Sequence, residues 1–179
     1  MTKNNFKYLI ILLFIFSCKK ENNHLAEYIY GSASTIKNGD LVHFNKCSAG
    51  IDLQNNFGFS FSKWNGLTEI EGMDIDNIKK NNLKQRVYKI DYANPTKQKP
   101  IVFFTTLTDD GDILCDNYYV FEADSVNNYI QVIKYDSSTR LIEGVFSLTL
   151  LRDQKEPKCR ITASDTIRMR DGVFNTKVF

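Results

Sequence analysis

Four closely spaced aspartates are the residues of this chain best suited to chemistry: Asp109, Asp110, Asp112 and Asp116. Several carboxylates on one flexible loop are ligands that Ca²⁺ prefers, so the segment is a candidate calcium site. It lacks the spacing and the closing glutamate of an EF-hand, and hairpin turns are naturally rich in Asp and Gly. We therefore interpret the segment as a turn, and we expect neither a metal nor another cofactor in this protein.

Other residues with chemical potential are fewer. His43 and Cys47 can be imagined as a general base and a nucleophile, but four positions along a strand separate two side chains by about 13 Å. Trp64 can stack on a sugar or a peptide, although a lone tryptophan in a small β-domain more often lies in the core. Paired carboxylates for glycoside hydrolysis can come from any two strands. No nucleotide-binding, serine-hydrolase or metalloprotease motif occurs, so no enzyme class is indicated.

The four cysteines of the chain are Cys18, Cys47, Cys115 and Cys159. The spacings between the last three match no zinc motif, and we interpret these three as small residues buried in strands. If Cys18 carries lipid, at most one disulfide can form within the domain. An exported location permits that disulfide, but the sequence leaves all three pairings open.

The N-terminal segment that ends at Cys18 points to export. Lys3 and Lys7 flank a polar start, an apolar run covers residues 8–16, and Ser17-Cys18 precedes an abrupt change to polar residues. This order is typical of a bacterial secretory signal, and the run is shorter than the about 20 residues that span a bilayer. An ordinary secretory signal or a membrane-anchor helix would leave the cysteine unmodified. Because the apolar run stops directly before the small residue and the cysteine, we favour a lipoprotein signal.

These observations divide the chain into a lipoprotein signal peptide (1–17), a polar tether that begins with the lipidated Cys18 (18–27) and a single domain (28–179). Acyl chains such as palmitate would hold the protein on a membrane, since each buried methylene contributes about 0.8 kcal/mol. Loss of the signal peptide, which contains two lysines and no acid, leaves 21 basic and 21 acidic residues. This balance argues against a nucleic-acid partner.

Short alternating segments fill the rest of the chain. Phe57, Phe59 and Phe61 alternate with Gly and Ser, which is typical of a strand buried on one face. Asn38-Gly39 is a strong hairpin signal, because both turn positions tolerate positive φ. About ten such strands, separated by polar turns, predict an all-β fold: an antiparallel β-sandwich or barrel, preceded by a signal-peptide helix.

Two C-terminal segments carry a further pattern, Ile142-x-Gly144-x-Phe146 and Asp171-Gly172-x-Phe174. With these segments, the early Asn-Gly turn and the lipoprotein signal, the chain resembles small β-rich lipoproteins of Bacteroidota, a family of unknown function. The resemblance implies an all-β fold and an exported, lipid-anchored protein, and it brings no catalytic residue. Within the pattern, Gly144 predicts a bulge or a close backbone approach, and Asp171-Gly172 predicts a turn.

The expected function is that of an envelope lipoprotein on the outer membrane, facing the periplasm or the cell surface. We expect a binding or interaction module without catalytic activity, with an envelope protein or a glycan as its partner. The alternative is an envelope hydrolase or a lipid-handling barrel, which would use the carboxylates of residues 109–116 or an apolar cavity. A subunit of a larger surface complex is a third hypothesis.

Overall fold

The computed structural model describes residues 31–89, 99–155, 158–159 and 163–179. The predicted signal peptide with its helix, Cys18 and the polar tether lie outside these residues. Within the described ranges the chain is all-β, with ten strands and no helix, as the alternating pattern predicts. Accordingly, no helix long and apolar enough to cross a bilayer is found among these residues.

The strands have the following bounds: β1 Gly31–Lys37, β2 Asp40–Ile51, β3 Phe57–Asn65, β4 Thr68–Ile78, β5 Gln85–Arg86, β6 Ile101–Leu107, β7 Leu114–Val120, β8 Tyr129–Asp136, β9 Leu141–Arg152 and β10 Thr166–Lys177. Neighbouring strands pair antiparallel in the order β10-β1-β2-β3-β4-β6-β7-β9, and β9 pairs with β10. The open choice between a sandwich and a barrel is thus decided: eight strands form a closed barrel. Closure leaves no free edge in this ring.

Strands β7 and β8 share one edge of β9, end to end. β7 pairs with the last residues of β9, and β8 pairs with its first half. The loop between β7 and β8 is fixed by the buried Asn128, whose amide donates to the carbonyl oxygen of Phe121 at 2.6 Å and accepts from the amide nitrogen of Thr149 at 2.6 Å. β5 adds to the outer edge of β8.

The antiparallel order defines two ends of the barrel. The upper end carries the turns β1–β2, β3–β4 and β6–β7 and the connection from β9 to β10. The lower end carries the start of β1 at Gly31 and the end of β10. The predicted Asn38-Gly39 turn is confirmed at the upper end, where Asn38 has a φ of 52° and Gly39 a φ of 99°. The backbone nitrogen of Asn38 also donates to the carbonyl oxygen of Arg168 at 2.9 Å, and this hydrogen bond connects the turn to β10.

The barrel interior is filled by aromatic and aliphatic side chains. Phe59 and Phe61 of β3 lie with ring centroids 4.8 Å and 5.5 Å from that of Phe174, and Phe61 stacks on Phe146 at 5.7 Å. All four phenylalanines are buried, as the alternation predicts. Offset and tilted ring pairs of this kind add to the free energy of burial. The core residues that the structure describes extend from Ala33 to Val178.

Two predictions about the C-terminal pattern have different outcomes. The close approach at Gly144 is confirmed, because a Cβ there would lie 2.3 Å from the ring of Phe174. The predicted turn at Asp171-Gly172 is wrong, because β10 continues through these residues. They form a bulge, with a φ of 51° at Asp171 and a shift of register between Met169 and Gly172. Positive φ at an Asp-Gly pair serves a bulge as well as a turn.

Candidate functional site

Four charged side chains point inward at the upper end of the barrel and form what we call the mouth layer: Lys37, Glu71, Asp116 and Arg152. They come from four different strands, β1, β4, β7 and β9. Each stands two positions from a buried residue of its own strand, respectively Thr35, Met73, Tyr118 and Leu150. Since side chains alternate between the two faces of a strand, these charged residues continue the inward-facing rows.

The first ion pair of the mouth layer joins Lys37 and Glu71. The Lys37 Nζ lies 2.5 Å from Oε1 of Glu71, and the two side chains are only 18% and 15% exposed. The same Nζ is 5.7 Å from the ring centroid of Phe104, the top of the apolar core. The second carboxylate oxygen of Glu71 is buried and has no hydrogen-bond partner in the part of the chain that the structure describes. This oxygen is therefore an acceptor without a donor.

The second ion pair, between Asp116 and Arg152, is more deeply buried. Nη1 of Arg152 lies 3.8 Å from Oδ1 of Asp116, and the side chains are 6% and 2% exposed. Arg152 also contacts Asp165 through Nε at 3.2 Å. The Asp116 carboxylate additionally accepts from the backbone nitrogen of Cys159 at 3.4 Å. Buried charges require partners of this kind, because an unpaired ion would be strongly destabilising.

Tyr118 lies on β7 two residues below Asp116 and forms part of the floor beneath the mouth layer. Its hydroxyl donates to the carbonyl oxygen of Ser164 at 3.0 Å. Burial raises the pKa of Tyr118 to about 12, and the negative charge of Asp116 adds to this effect. The phenol is therefore neutral at physiological pH and acts as a hydrogen-bond donor.

A cavity of about 240 Å³ opens to solvent above these residues, and we call it the mouth pocket. Three residues of the mouth layer and Tyr118 of its floor line it together with polar and apolar neighbours: Lys37, Asn38, Ile70, Glu71, Thr106, Asp109, Asp116, Tyr118, Ala163, Ser164 and Ile167. Ligand pockets are typically about 300–1,000 Å³. The mouth pocket is smaller than this range, so it has room only for a small ligand, which its polar lining can hydrogen-bond.

A disulfide between Cys115 and Cys159 fixes one wall of the mouth pocket, with the two Cα atoms 5.1 Å apart. It joins β7 to the connection between β9 and β10. Within that connection Lys158 Nζ lies 3.1 Å from Asp165 and donates to the carbonyl oxygen of Ala163 at 3.0 Å. The pocket wall at residues 163–164 is thus held to the barrel covalently and by ion pairs.

The interpretation of the cysteines as buried strand residues is right in part. Cys47 is a free, fully buried residue of β2, and burial raises the pKa of its thiol to about 12. Cys115 is a buried strand residue but takes part in a disulfide. For Cys159 the interpretation is wrong, because it is exposed and lies outside the strands. The pairing itself required the three-dimensional arrangement.

The four aspartates proposed from the sequence separate into two environments. Asp116 is buried in the mouth layer, and Asp109 lines the edge of the mouth pocket. Asp110 and Asp112 are exposed in the β6–β7 turn, where Asp110 accepts hydrogen bonds from the Thr108 hydroxyl and from the Asp112 backbone nitrogen. These bonds hold the pKa of Asp110 below its usual value. No group of three metal-ligating side chains occurs within the described residues.

The remaining candidates from the sequence lie apart from the mouth. His43 is exposed on the outer face of β2, whereas Cys47 points into the core, so these residues do not form a catalytic pair. Trp64 is half-buried at the end of β3, and Lys46 Nζ lies over its ring, 3.3 Å from the centroid. This tryptophan is therefore neither a core residue nor an open platform for stacking.

Sequence reasoning did not identify Lys37, Glu71 or Arg152 as site residues. A signal for them exists, since each is a charged residue in the inward phase of an alternating strand. Only the closed barrel brings them together, because their strands are distant along the chain. No protein-family model, curated protein or solved structure matches this chain.

Proposed function

We propose that this protein is an outer-membrane lipoprotein, anchored through Cys18, whose barrel binds a small polar ligand in the mouth pocket. The observation that carries the proposal is the mouth layer: at one end of an apolar barrel, three of its four charged side chains line an open pocket, and the fourth, Arg152, pairs with one of them. The anchor is supported by the order of basic, apolar and small residues before Cys18.

Stability alone is a poor reason for the mouth layer. Replacement of a buried ion pair by apolar residues of similar volume is often neutral or stabilising. The upper end of the core could therefore be closed by apolar side chains, as the lower end is. Charged groups that are already paired and oriented, however, can recognise a polar ligand without reorganisation.

The chemistry of the pocket indicates what kind of ligand fits. Glu71 offers an acceptor oxygen that lacks a donor, and Asp116 and Asp109 add negative charge near it. Lys37 lines the same pocket, and its ammonium group supplies a positive charge there. A small molecule with several hydroxyl or amino groups matches these acceptors, because each buried acceptor without a donor is unfavourable by about 1–3 kcal/mol.

The tether suits a module that faces away from the membrane. β1 begins at the lower end, so the described chain starts at the end of the barrel opposite the mouth pocket. The twelve residues from 19 to 30, when extended, reach at most about 40 Å. This length allows the pocket to face the surrounding solution while the lipid holds the other end of the chain.

An envelope hydrolase is the second candidate, and one observation favours it: Glu71 and Asp116 are two carboxylates that line a single pocket. A lipid-handling barrel receives less support, because aromatic and aliphatic side chains occupy the barrel interior. Turnover of glycan, ester or peptide substrates that is lost in both Glu71→Gln and Asp116→Asn would favour hydrolysis over binding.

A ligand screen tests the binding proposal. Small sugars, amino sugars, amines and amino acids would be added to the chain from residue 19 onward, and the shift in melting temperature measured. We expect a stabilising ligand whose effect is lost in Glu71→Gln and retained in Lys134→Met, an exposed control on the outer wall. A ligand that stabilises Glu71→Gln as strongly as the unchanged protein would contradict this site.

Metabolic labelling with a fatty-acid probe tests the anchor separately. We expect label on the unchanged protein and none on Cys18→Ala, because the thiol of the first mature residue is the acylation site. The expression level of both proteins serves as the control. Label that persists on Cys18→Ala would overturn the lipid assignment and leave the pocket unaffected.

A further inference from the structure

A strip of basic and aromatic residues covers the outer wall around β5, the start of β6 and the adjoining parts of β7 and β8. Its cations are Lys84, Arg86, Lys89 and Lys99, and its rings are Tyr88, Phe103, Tyr119 and Tyr129. All four cations are exposed, and all four rings are half-buried. We call this surface the basic strip.

The cations of the basic strip lie over ring faces. Arg86 Cζ and Lys99 Nζ are 5.1 Å and 4.8 Å from the ring centroid of Tyr88. Lys84 Nζ lies 3.8 Å from the centroid of Tyr129. Such contacts order the long side chains but leave their charge uncompensated. In the part of the chain that the structure describes, none of these three cations is ion-paired with a carboxylate.

The second part of the strip is continuous with the first. Lys89 Nζ lies 4.6 Å from the ring centroid of Tyr119, whose ring is 5.6 Å from that of Phe103. Glu122 joins the two parts, since its carbonyl oxygen accepts from Arg86 at 2.9 Å and its carboxylate accepts from the Lys89 backbone nitrogen at 3.3 Å. The Glu122 carboxylate thus contacts the strip through the backbone of Lys89, and the strip concentrates four cations on a protein whose domain is close to neutral overall.

We propose that the basic strip docks the barrel side-on against the anionic phosphate headgroups of a lipid bilayer. Cations attract such a surface, and tyrosines are enriched at the level of the headgroups. The strip extends to the lower end of the barrel, where Lys99 lies two residues before Ile101, the first residue of β6. This inference rests on the proposed envelope location, because a lipid on Cys18 would keep the strip close to a bilayer at all times.

Docking adds a second attachment to the first. The acyl chains on Cys18 would hold the protein at the bilayer, and the strip would orient the barrel against its anionic surface. The mouth pocket lies at the upper end and the strip on the lower outer wall, so a docked barrel keeps the pocket open to solution. Attachment through the strip does not require any residue of the mouth layer.

Vesicle binding of the chain from residue 19 onward, which lacks the lipid but contains every described core residue, tests the proposal. Vesicles of phosphatidylcholine with phosphatidylglycerol are compared with phosphatidylcholine alone. We expect binding to the anionic vesicles that weakens with added salt. In K84Q/R86Q/K89Q/K99Q the partition coefficient should fall by several hundred-fold, since each charge contributes about five-fold.

The matched control is K134Q/R140Q/K155Q/R168Q, which removes two lysines and two arginines that are exposed in other segments of the protein. We expect it to lower the partition coefficient by less than about tenfold, because these four charges are spread over separate segments. If the strip variant does not fold, K89Q/K99Q replaces it, with an expected loss of about thirty-fold.

Three results would overturn the proposal: no binding of the unchanged protein to anionic vesicles, an equal loss in both quadruple variants, or displacement from vesicles by trace amounts of an acidic polysaccharide. These outcomes are distinct from failure of the lipid anchor. Labelling at Cys18 does not depend on the strip, and vesicle binding of the unlipidated chain does not depend on Cys18.

Discussion

The two ends of the barrel are built from the same alternating strands but are closed in different ways. At the lower end the inward-facing positions are apolar and fully buried, and they include Phe57, Ile78 and Ile142. The Phe57 ring meets that of Tyr135 edge-on, with centroids 5.0 Å apart. At the upper end the corresponding positions carry the two ion pairs of the mouth layer. The comparison teaches that apolar packing closes the lower end, whereas the upper end buries charged groups, and this difference is the basis of the proposed ligand site.

The largest expected effect comes from the lower end. Phe57→Ala should lower the free energy of unfolding by about 4 kcal/mol, because it leaves a cavity in the closed, apolar end. Phe57→Leu serves as the control and should lower it by about 1 kcal/mol. Urea unfolding followed by circular dichroism measures both. A loss below 1 kcal/mol for Phe57→Ala would mean that the lower end does not hold the barrel together.

Removal of the disulfide should affect the upper end more than the lower. In a Cys115→Ser and Cys159→Ser double variant the free energy of unfolding should fall by about 3 kcal/mol. Amide hydrogen exchange should accelerate in residues 163–165 and β7, which the disulfide connects, while β3 stays protected. Cys47→Ala, which removes the free thiol, is the control for the loss of a cysteine. Uniform acceleration over the whole barrel would contradict a local role for the disulfide.

Tyr118 gives the upper end a dependence on alkaline pH. Its folded-state pKa of about 12 lies above the ordinary value of 10, so the folded state keeps a proton that the unfolded state has lost. The free energy of unfolding should therefore fall between about pH 10 and pH 12, by roughly 2 kcal/mol in total. Tyr118→Phe should lack this component. Identical pH profiles for the two proteins in urea unfolding would show that the phenol is not shielded by the barrel.

The smallest net effect on stability is expected when both partners of the Lys37–Glu71 ion pair are replaced. Lys37→Met alone should lower the free energy of unfolding by about 2 kcal/mol, since it leaves the Glu71 carboxylate without its cation. The double variant with Glu71→Met should return to within about 1 kcal/mol of the unchanged protein, because apolar pairs replace buried ion pairs at little net loss. Thermal unfolding measures both variants. A double variant that is less stable than Lys37→Met would show that the mouth layer stabilises the fold.

The fold class was readable from the sequence because its determinants are local. Period-two alternation places Phe57, Phe59 and Phe61 on one face whatever their partners are. The Asn38-Gly39 turn needs only positive φ at two adjacent positions, which these residue types provide. At Asp171-Gly172 only Asp171 has positive φ, and the neighbouring residues continue to pair with β9, so a bulge forms in place of a turn.

The sequence by itself determined that the described chain is all-β, that Cys47 is buried and that Gly144 permits a close approach. The tertiary structure decided that the sheet closes, that Cys115 pairs with Cys159, and that the mouth layer exists. The physical reason is that alternation fixes which face of a strand is buried, but not which strand becomes its neighbour. The residues of the mouth layer meet only after eight strands close into a ring, and no local pattern records that closure.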